Sequence, residues 1–92
     1  MNRCFVMGKI ISEPEFKFFY MNKKTSISYF WIKLVDKTII KVFGYDEQAD
    51  YIYRKLKQGQ NVIVEGKIRI ENKNIEIEME TIEKIIIKNK KN

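Results

Sequence analysis

Residues 46–59, DEQADYIYRKLKQG, have the period of an α-helix in a chain that otherwise alternates like β-strands. Four apolar residues recur there at i, i+3, i+4 and i+7, which places them on one stripe of a helix. They are Ala49, Ile52, Tyr53 and Leu56. Acidic residues at the start and lysines at the end interact favourably with the helix dipole. Gly59 can adopt the left-handed backbone conformation that commonly ends a helix. The sequence therefore predicts a helix of about three turns over residues 46–58.

Strand-like stretches lie on both sides of this helix. Gly8 and Pro14 interrupt the first of them, as a bulge and a bend would. Short polar clusters, which are turn signals, separate the others. These clusters are Asn22-Lys23-Lys24, Asp36-Lys37 and Asn72-Lys73-Asn74. We predict five strands, at residues 3–20 (one long, bent strand), 26–35, 38–45, 61–71 and from 75 onward.

The order of these elements selects a fold class. Three strands, a helix and two strands within 92 residues are the layout of the five-stranded Greek-key barrel called the OB-fold. A ferredoxin-like sandwich needs a helix between its first two strands, and an SH3-like barrel has no three-turn helix after its third. We predict an all-β fold, a five-stranded OB barrel with one short helix between strands three and four, over residues 1–87. A flexible basic tail is predicted over residues 88–92.

One face of the second and third strands is predicted to bind a ligand. In residues 29–34, YFWIKL, both parities are apolar or aromatic, although a strand alternates its side chains between two faces. We assign the core to Phe30, Ile32, Leu34, Ile40 and Val42. The opposite face then carries Tyr29, Trp31, Lys33, Ile39, Lys41, Phe43 and Tyr45. Bases stack on such rings for about 1–3 kcal/mol each and lysines neutralise phosphates, so this face indicates single-stranded nucleic acid. The alternative is that a loop, a second subunit or a parity-inverting bulge buries these rings.

The charge of the chain supports an anionic partner. A net charge of +6 and a pI near 9.4 favour nucleic acid or a membrane surface, although lysines also keep small proteins soluble. Residues 1–70 hold 13 basic and 7 acidic side chains, whereas residues 71–92 hold five of each. Besides the two lysines of the strand face, we predict phosphate contacts from Arg3, Lys9, Lys23, Lys24, Lys67 and Arg69.

What the sequence lacks excludes several classes of protein. It has no histidine, no glycine-rich phosphate loop and no cysteine cluster, so we expect no catalytic residue, no metal site, no cofactor and no enzyme. The single cysteine, Cys4, indicates a reducing compartment. No stretch approaches the roughly 18 apolar residues of a membrane span, and the N-terminus lacks a secretory h-region. We expect a cytoplasmic protein without a membrane partner.

Three segments resemble the bacterial single-stranded DNA-binding protein family. Residues 56–69, LKQGQNVIVEGKIR, are similar to its pattern Leu-x-Lys-Gly-x-x-Val-x-(Val/Ile)-Glu-Gly-x-Leu-Arg. Residues 6–17, VMGKIISEPEFK, resemble its Val-Gly-Asn-Leu-x-x-Asp-Pro-Glu-x-Arg stretch. Val42-Phe43-Gly44 is similar to the Phe-Gly that precedes the family's helix. The three segments occur in the family's order and cover nearly the whole domain.

The resemblance implies an OB barrel that assembles into dimers or tetramers and binds single-stranded DNA without catalysis. It also implies that Phe43 occupies the position of a base-stacking phenylalanine. The family's stacking tryptophans lie on or near long loops, which are shortened here to Asp36-Lys37 and Asn72-Lys73-Asn74. The family's acidic, phenylalanine-ending tail is replaced by Lys-Asn-Lys-Lys-Asn. We therefore expect a short variant, for example from a phage, plasmid or conjugative element, or a primosomal protein of the same fold.

The last strand carries an acidic row. Glu76, Glu78 and Glu80 share one of its faces, which we interpret as solvated or salt-bridging. Lys67 and Arg69 are the expected partners across the hairpin, and such pairing would subtract both from the binding surface. We expect this side of the barrel not to contact DNA.

The first strand carries a candidate oligomer interface. Phe5 and Met7 have the parity opposite to Cys4, Val6 and Ile10. If the latter set lies in the core, Phe5 and Met7 form an exposed apolar row, which predicts a homodimer or homotetramer. The alternative is a first strand that is buried on both sides.

These observations together predict a protein that binds single-stranded DNA with little sequence preference, in replication, repair or mobile-element transfer. The predicted binding surface is the aromatic and basic face of the barrel. RNA is an alternative ligand, because a stacking platform does not itself exclude a 2′-hydroxyl. A second alternative is a protein-interaction module, such as a primosomal or conjugation accessory protein.

Overall fold

The computed structural model describes residues 2–86, which form six β-strands and one α-helix. Their bounds are β1 Cys4–Ile10, β2 Glu15–Met21, β3 Lys24–Leu34, β4 Ile39–Tyr45, α1 Glu47–Lys55, β5 Asn61–Glu71 and β6 Asn74–Ile85. Four strands precede the helix where three were predicted, two strands follow it as predicted, and the all-β OB-fold prediction is confirmed. The predicted basic tail, residues 88–92, lies outside the described residues.

Five strands close into the barrel. The sheet order is β1-β5-β6-β4-β3-β2, and β1 also pairs with β3. That additional pairing, from Gly8 opposite Leu34 to Ile10 opposite Ile32, closes the ring β1-β5-β6-β4-β3. The β4–β6 pairing is parallel, and the other pairings are antiparallel. The sixth strand, β2, extends the sheet beyond the point of closure.

The prediction of one bent strand over residues 3–20 is wrong, because the segment forms two strands, β1 and β2. Between them, Ile11 N–H donates to the Trp31 carbonyl (2.9 Å), and Trp31 N–H donates to Ser12 Oγ (2.9 Å). A serine hydroxyl therefore replaces the backbone acceptor that a continuous strand would supply. Pro14, which has no N–H, follows in the same break. The chain resumes at Glu15, which is paired with Tyr29.

The predicted core parity of β3 and β4 is confirmed. Phe30, Ile32 and Val42 are completely buried, and Leu34 and Ile40 are partly buried against them. The rest of the buried cluster comes from β1, from α1 and the residue that follows it, and from β5 and β6. It consists of Ile10, Ile52, Leu56, Val62, Val64, Ile77 and Met79. Burial of this apolar surface, at about 25 cal/mol per Å², is the main force that holds the barrel together.

The helix is shorter than the predicted 46–58. It ends at Lys55 because Leu56 is extended (φ −105°, ψ 146°), which turns its side chain into the core. Gly59 has the expected positive φ of 98°, but it lies in the following turn, where its N–H donates to the Ile10 carbonyl. On the predicted apolar stripe, Ala49, Ile52 and Leu56 are buried and Tyr53 is exposed.

The β5–β6 hairpin extends beyond the core. Its two-residue turn, Asn72-Lys73, has positive φ at both positions (51° and 67°), as a type I′ turn requires. On β5, Val62 and Val64 are buried, whereas Ile68 and Ile70, which have the same parity, are exposed. The latter two lie beyond Gly66, where the pairing of β5 with β1 ends, so this part of β5 is covered by strand pairing on the β6 side alone.

A carboxylate ties the start of β3 to the end of β4. Asp46 Oδ1 accepts hydrogen bonds from Thr25 N–H (2.9 Å), Thr25 Oγ1 (3.1 Å) and Ser26 N–H (3.1 Å). The Thr25 N–H is the largest of the effects that lower the pKa of Asp46, and the Ser26 N–H adds to it. Because the folded pKa is lowered, the stabilisation is present above the unfolded value of about 3.9 and is lost as pH falls through the folded pKa.

The Asp46→Asn variant is therefore expected to lose part of the acid sensitivity of the protein. Its free energy of unfolding should vary less with pH below about pH 4 than that of the wild type, since asparagine does not titrate. Urea denaturation at a series of pH values measures this. Glu47→Gln is the matched control, because this adjacent carboxylate makes none of the three hydrogen bonds. Equal pH dependence in the wild type and Asp46→Asn would contradict the assignment.

Candidate nucleic-acid interface

The side chains of β3 and β4 that point away from the core form one continuous surface, here called the front face. It comprises Tyr29, Trp31 and Lys33 of β3 and Ile39, Lys41, Phe43 and Tyr45 of β4. Paired residues of neighbouring strands point to the same side of a sheet, so the register aligns these residues in rows. Trp31 lies opposite Lys41, and Tyr29 lies opposite Phe43.

Lysine ammonium groups lie beside the aromatic rings of the front face. Lys41 Nζ is 4.4 Å from the centroid of the Tyr29 ring and 5.9 Å from that of Trp31. Lys17 Nζ is 5.5 Å from the Tyr29 ring, and Lys24 Nζ is 5.0 Å from the ring of Tyr45. Cation–π attraction holds the amines in these positions. The face thus alternates aromatic rings with ammonium groups.

Trp31 has the most accessible ring of the predicted stacking residues. It is 39% exposed, and it lines an open cleft between β4 and the tip of the β5–β6 hairpin. Ile39 and Ile75 supply apolar walls of this cleft, and Lys41 and Lys73 supply positive charge. An aromatic ring in an apolar cleft with flanking cations has the features that stacking of a nucleobase requires.

The prediction that Phe43 is exposed is wrong. Its side chain is 6% exposed, although it points to the front face and lies outside the central core cluster. Its strand is flanked on both sides, by Tyr29 on β3 and by Glu78 on β6. The Tyr45 ring also packs edge-on against it, with centroids 5.5 Å apart. Large neighbours therefore cover the ring.

Two residues of β2 that the sequence did not single out join the front face. The Phe19 ring lies 5.9 Å from that of Tyr45, and Lys17 lies beside Tyr29. Both have the parity of Glu15, and the register of β2 with β3 is regular from Glu15 to Phe18. Glu15 pairs with Tyr29, and Lys17 lies on the same face of β2 as Glu15. If β2 had been predicted as a separate strand, this register would have indicated that Lys17 lies on the front face.

The predicted acidic row borders the front face. In the parallel β4–β6 register, Glu76 lies opposite Lys41 and Glu78 lies opposite Phe43. The sequence did not predict this parallel β4–β6 pairing, which places the carboxylates beside the front face. Burial raises the pKa of Tyr45, and the Glu78 carboxylate adds to the increase. The phenol therefore stays neutral at physiological pH.

Three predicted phosphate contacts are engaged in ion pairs. Arg69 pairs with Glu78 (2.7 Å), and Lys67 lies 3.9 Å from Glu80, which confirms the expected salt bridges across the hairpin. Arg3 contacts Glu65 (3.1 Å) and Glu80 (3.2 Å). Each of these three cations is thus partly neutralised within the protein.

The remaining predicted cations surround the front face. Lys9 lies opposite Lys33 in the β1–β3 register, and both are exposed. Lys23 occupies the tip of the β2–β3 turn with a φ of 68°, next to Lys24. The structure therefore brings Lys24, Lys33 and Lys41 onto the face and places the other two at its margins.

Phe5 and Met7 are exposed on the outward side of β1, so the alternative of a strand buried on both sides is wrong. Ile63 of β5 lies opposite Met7 and widens this apolar row. The neighbouring Cys4 thiol lies 3.5 Å from the Gly66 carbonyl, and burial raises its pKa. The thiol is therefore protonated at neutral pH.

An OB barrel with rings and lysines interleaved on one open face defines a class of protein that binds single-stranded nucleic acid. A family model described as "Single-strand binding protein family" matches residues 1–90. The chain belongs to this family, whose members bind DNA and are not enzymes. No curated protein matches it in sequence.

Solved structures agree in fold. The single-stranded DNA-binding domain from Synechococcus is 18% identical, with a TM-score of 0.80. The match covers 89% of this chain and 93% of the Synechococcus chain. The small single-stranded DNA-binding protein from Streptomyces coelicolor is 14% identical, with a TM-score of 0.77, and the match covers 94% of this chain and 96% of the Streptomyces chain. The single-stranded DNA-binding protein from Thermus aquaticus is 15% identical, with a TM-score of 0.82, and the match covers 100% of this chain and 44% of the Thermus chain. Within residues 2–86, no helix has the length and apolar character needed to cross a membrane.

Proposed function

We propose that the front face binds single-stranded DNA with little sequence preference. Bases stack on Trp31, Tyr29 and Tyr45, and Lys41 binds phosphate between the first two of these rings. The observation that carries the proposal is the position of the Lys41 ammonium, 4.4 Å from one ring and 5.9 Å from the next. Neither a ring nor an amine of this kind reads the edge of a base, so binding depends little on sequence. Such binding suits replication, repair or transfer of a mobile element.

The charges around the front face indicate where the DNA lies. Lys17 of β2, Lys24 of β3 and Lys41 of β4 have ammonium groups beside the rings of Tyr29 and Tyr45. On the opposite border, Glu76 and Glu78 present carboxylates beside β4. The strand of DNA therefore lies over β2, β3 and β4 and avoids the middle of β6. In this arrangement Phe43 supports the neighbouring rings and does not itself stack.

The salt dependence of oligo-dT binding tests the proposal. Affinity for single strands falls with salt by a log–log slope of about 0.7 per neutralised phosphate, so Lys41→Gln should reduce the slope by about 0.7. The control, Arg69→Gln with Glu78→Gln, removes an ion pair without changing net charge, and it should leave the slope unchanged. Fluorescence titrations between about 50 and 200 mM salt measure both slopes. Absence of oligo-dT binding, or a Lys41→Gln slope equal to that of the wild type, would refute the proposal.

The apolar row of Phe5, Met7 and Ile63 is the proposed contact between copies of the chain. Phe5 and Met7 of β1 are exposed and Ile63 of β5 is half-buried, and the row lies away from the rings of the front face, so pairing there leaves the DNA surface free. We propose a homodimer or a homotetramer built on this contact. Light scattering of the free protein tests it, and a monomer mass would contradict it.

A further inference from the structure

A second group of aromatic side chains lies on the other side of β2. Phe16 packs edge-on against Phe18, with ring centroids 5.1 Å apart, and against Tyr53 of α1 at 5.5 Å. These three residues are here called the back patch. Phe18 is 77% exposed, and Tyr20, farther along the same strand, is 87% exposed. Side chains so accessible contribute little to the stability of the barrel.

The position of β2 in the sheet explains why these rings are exposed. Phe16 and Phe18 pair with Ser28 and Ser26, whose side chains have the parity of the core. However, β2 is not one of the five strands of the closed barrel. Its side chains that point in the same direction as the core residues of β3 therefore do not lie in the barrel interior. The helix supplies a single ring, Tyr53, as partner. Among residues 2–86, no strand pairs with the outer edge of β2.

The back patch is continuous with the front face around this edge. Phe18 belongs to the back patch, and the next residue, Phe19, contacts Tyr45 on the front. The β2–β3 hairpin between the two surfaces is basic, because Lys17, Lys23 and Lys24 outnumber its one acid, Glu15. A polyanion that leaves the front face over β2 therefore meets positive charge and then further rings. The same positive charge opposes pairing of two copies through this edge.

We propose that single-stranded DNA longer than the front face turns around the edge of β2 and stacks additional bases on Phe18 and Tyr53. This inference rests on the function proposed above. It gives each protomer a binding path that continues from one side of the sheet to the other. Short oligonucleotides occupy the front face alone, and longer ones gain affinity from the back patch.

A length series of oligo-dT, from about 4 to 16 nucleotides, tests the inference on the full chain. The double variant Phe18→Leu with Tyr53→Leu removes both rings and keeps apolar bulk at exposed positions. It should bind the shortest ligands that the wild type binds with unchanged affinity. It should bind the longest at least about 30-fold more weakly, since two lost stacking contacts contribute about 1–3 kcal/mol each. The double variant Phe18→Tyr with Tyr53→Phe keeps both rings and should match the wild type at every length.

Three results would overturn the inference, and they differ from one another. If the leucine variant follows the length dependence of the wild type, the back patch does not bind DNA. If its affinity for DNA is unchanged while light scattering shows a lower mass, the patch is a contact between copies of the chain. If the wild type binds oligo-dT of no length, the proposed function fails as well.

Discussion

Trp31→Ala is expected to weaken oligo-dT binding by about 5- to 150-fold, the equivalent of a stacking contribution of about 1–3 kcal/mol. The fold should be little affected, because 39% of the side chain is exposed and it lies outside the core cluster. Trp31 is the one tryptophan of the sequence, so quenching of intrinsic fluorescence in the wild type reports on this ring alone. Anisotropy of a labelled oligo-dT then compares the affinities of the wild type and the variant.

Two variants make this comparison specific. Trp31→Phe keeps a ring and should recover most of the affinity that the alanine variant loses. Tyr51→Ala removes a similarly exposed ring (37%) from α1 and should leave binding unchanged. Unquenched tryptophan fluorescence at saturating DNA, or equal affinity of Trp31→Ala and the wild type, would show that the base sites lie elsewhere.

Phe43→Ala is expected to act on stability, lowering the free energy of unfolding by about 3–5 kcal/mol. The ring is 6% exposed and packs against that of Tyr45, so its removal leaves a cavity under the front face. For a barrel of this size such a loss is a large fraction of the total stability, which is typically about 5–15 kcal/mol. Urea denaturation measures the change.

Phe43→Leu separates packing from stacking at this position. It keeps most of the apolar volume, so the stability cost should be below about 1.5 kcal/mol. If Phe43 supports the neighbouring rings, as proposed, oligo-dT affinity should stay within about threefold of the wild type, which is less than one stacking contact contributes. A stable Phe43→Leu protein that loses as much affinity as Trp31→Ala would show that this ring stacks on a base.

The fold was predictable because its signals are local. The helix period at Ala49, Ile52 and Leu56 and the alternation through Phe30 and Ile32 are readable from neighbouring residues, and the order of the elements then limits the topology. The helix end was harder to place, since Leu56 leaves the helix to fill the core. Packing of Leu56 in the core sets the end of the helix, and the helix propensity of the segment does not.

The candidate site was predictable in part, because it depends on contacts between distant strands. The parity of Trp31 and Lys41 follows from alternation. Phe43 is buried in part because the parallel β4–β6 pairing places Glu78 beside it. No local sequence pattern indicates that pairing. Phe19 has the parity of Glu15 and Lys17, but its contact with Tyr45 depends on β2 pairing with β3 as a separate strand.

The closure of the barrel has a consequence for how the chain folds. Cys4 of β1 is paired with Gly66 of β5, 62 residues later, so residues 4–7, which lie outside the pairing with β3, have no strand partner until most of the chain is available. Pairings of such long sequence separation incur their loop-closure entropy before they gain stability, and they slow folding to the millisecond-to-second range. On a ribosome, β1 would emerge well before β5 and stay unpaired with it while the intervening hairpins form.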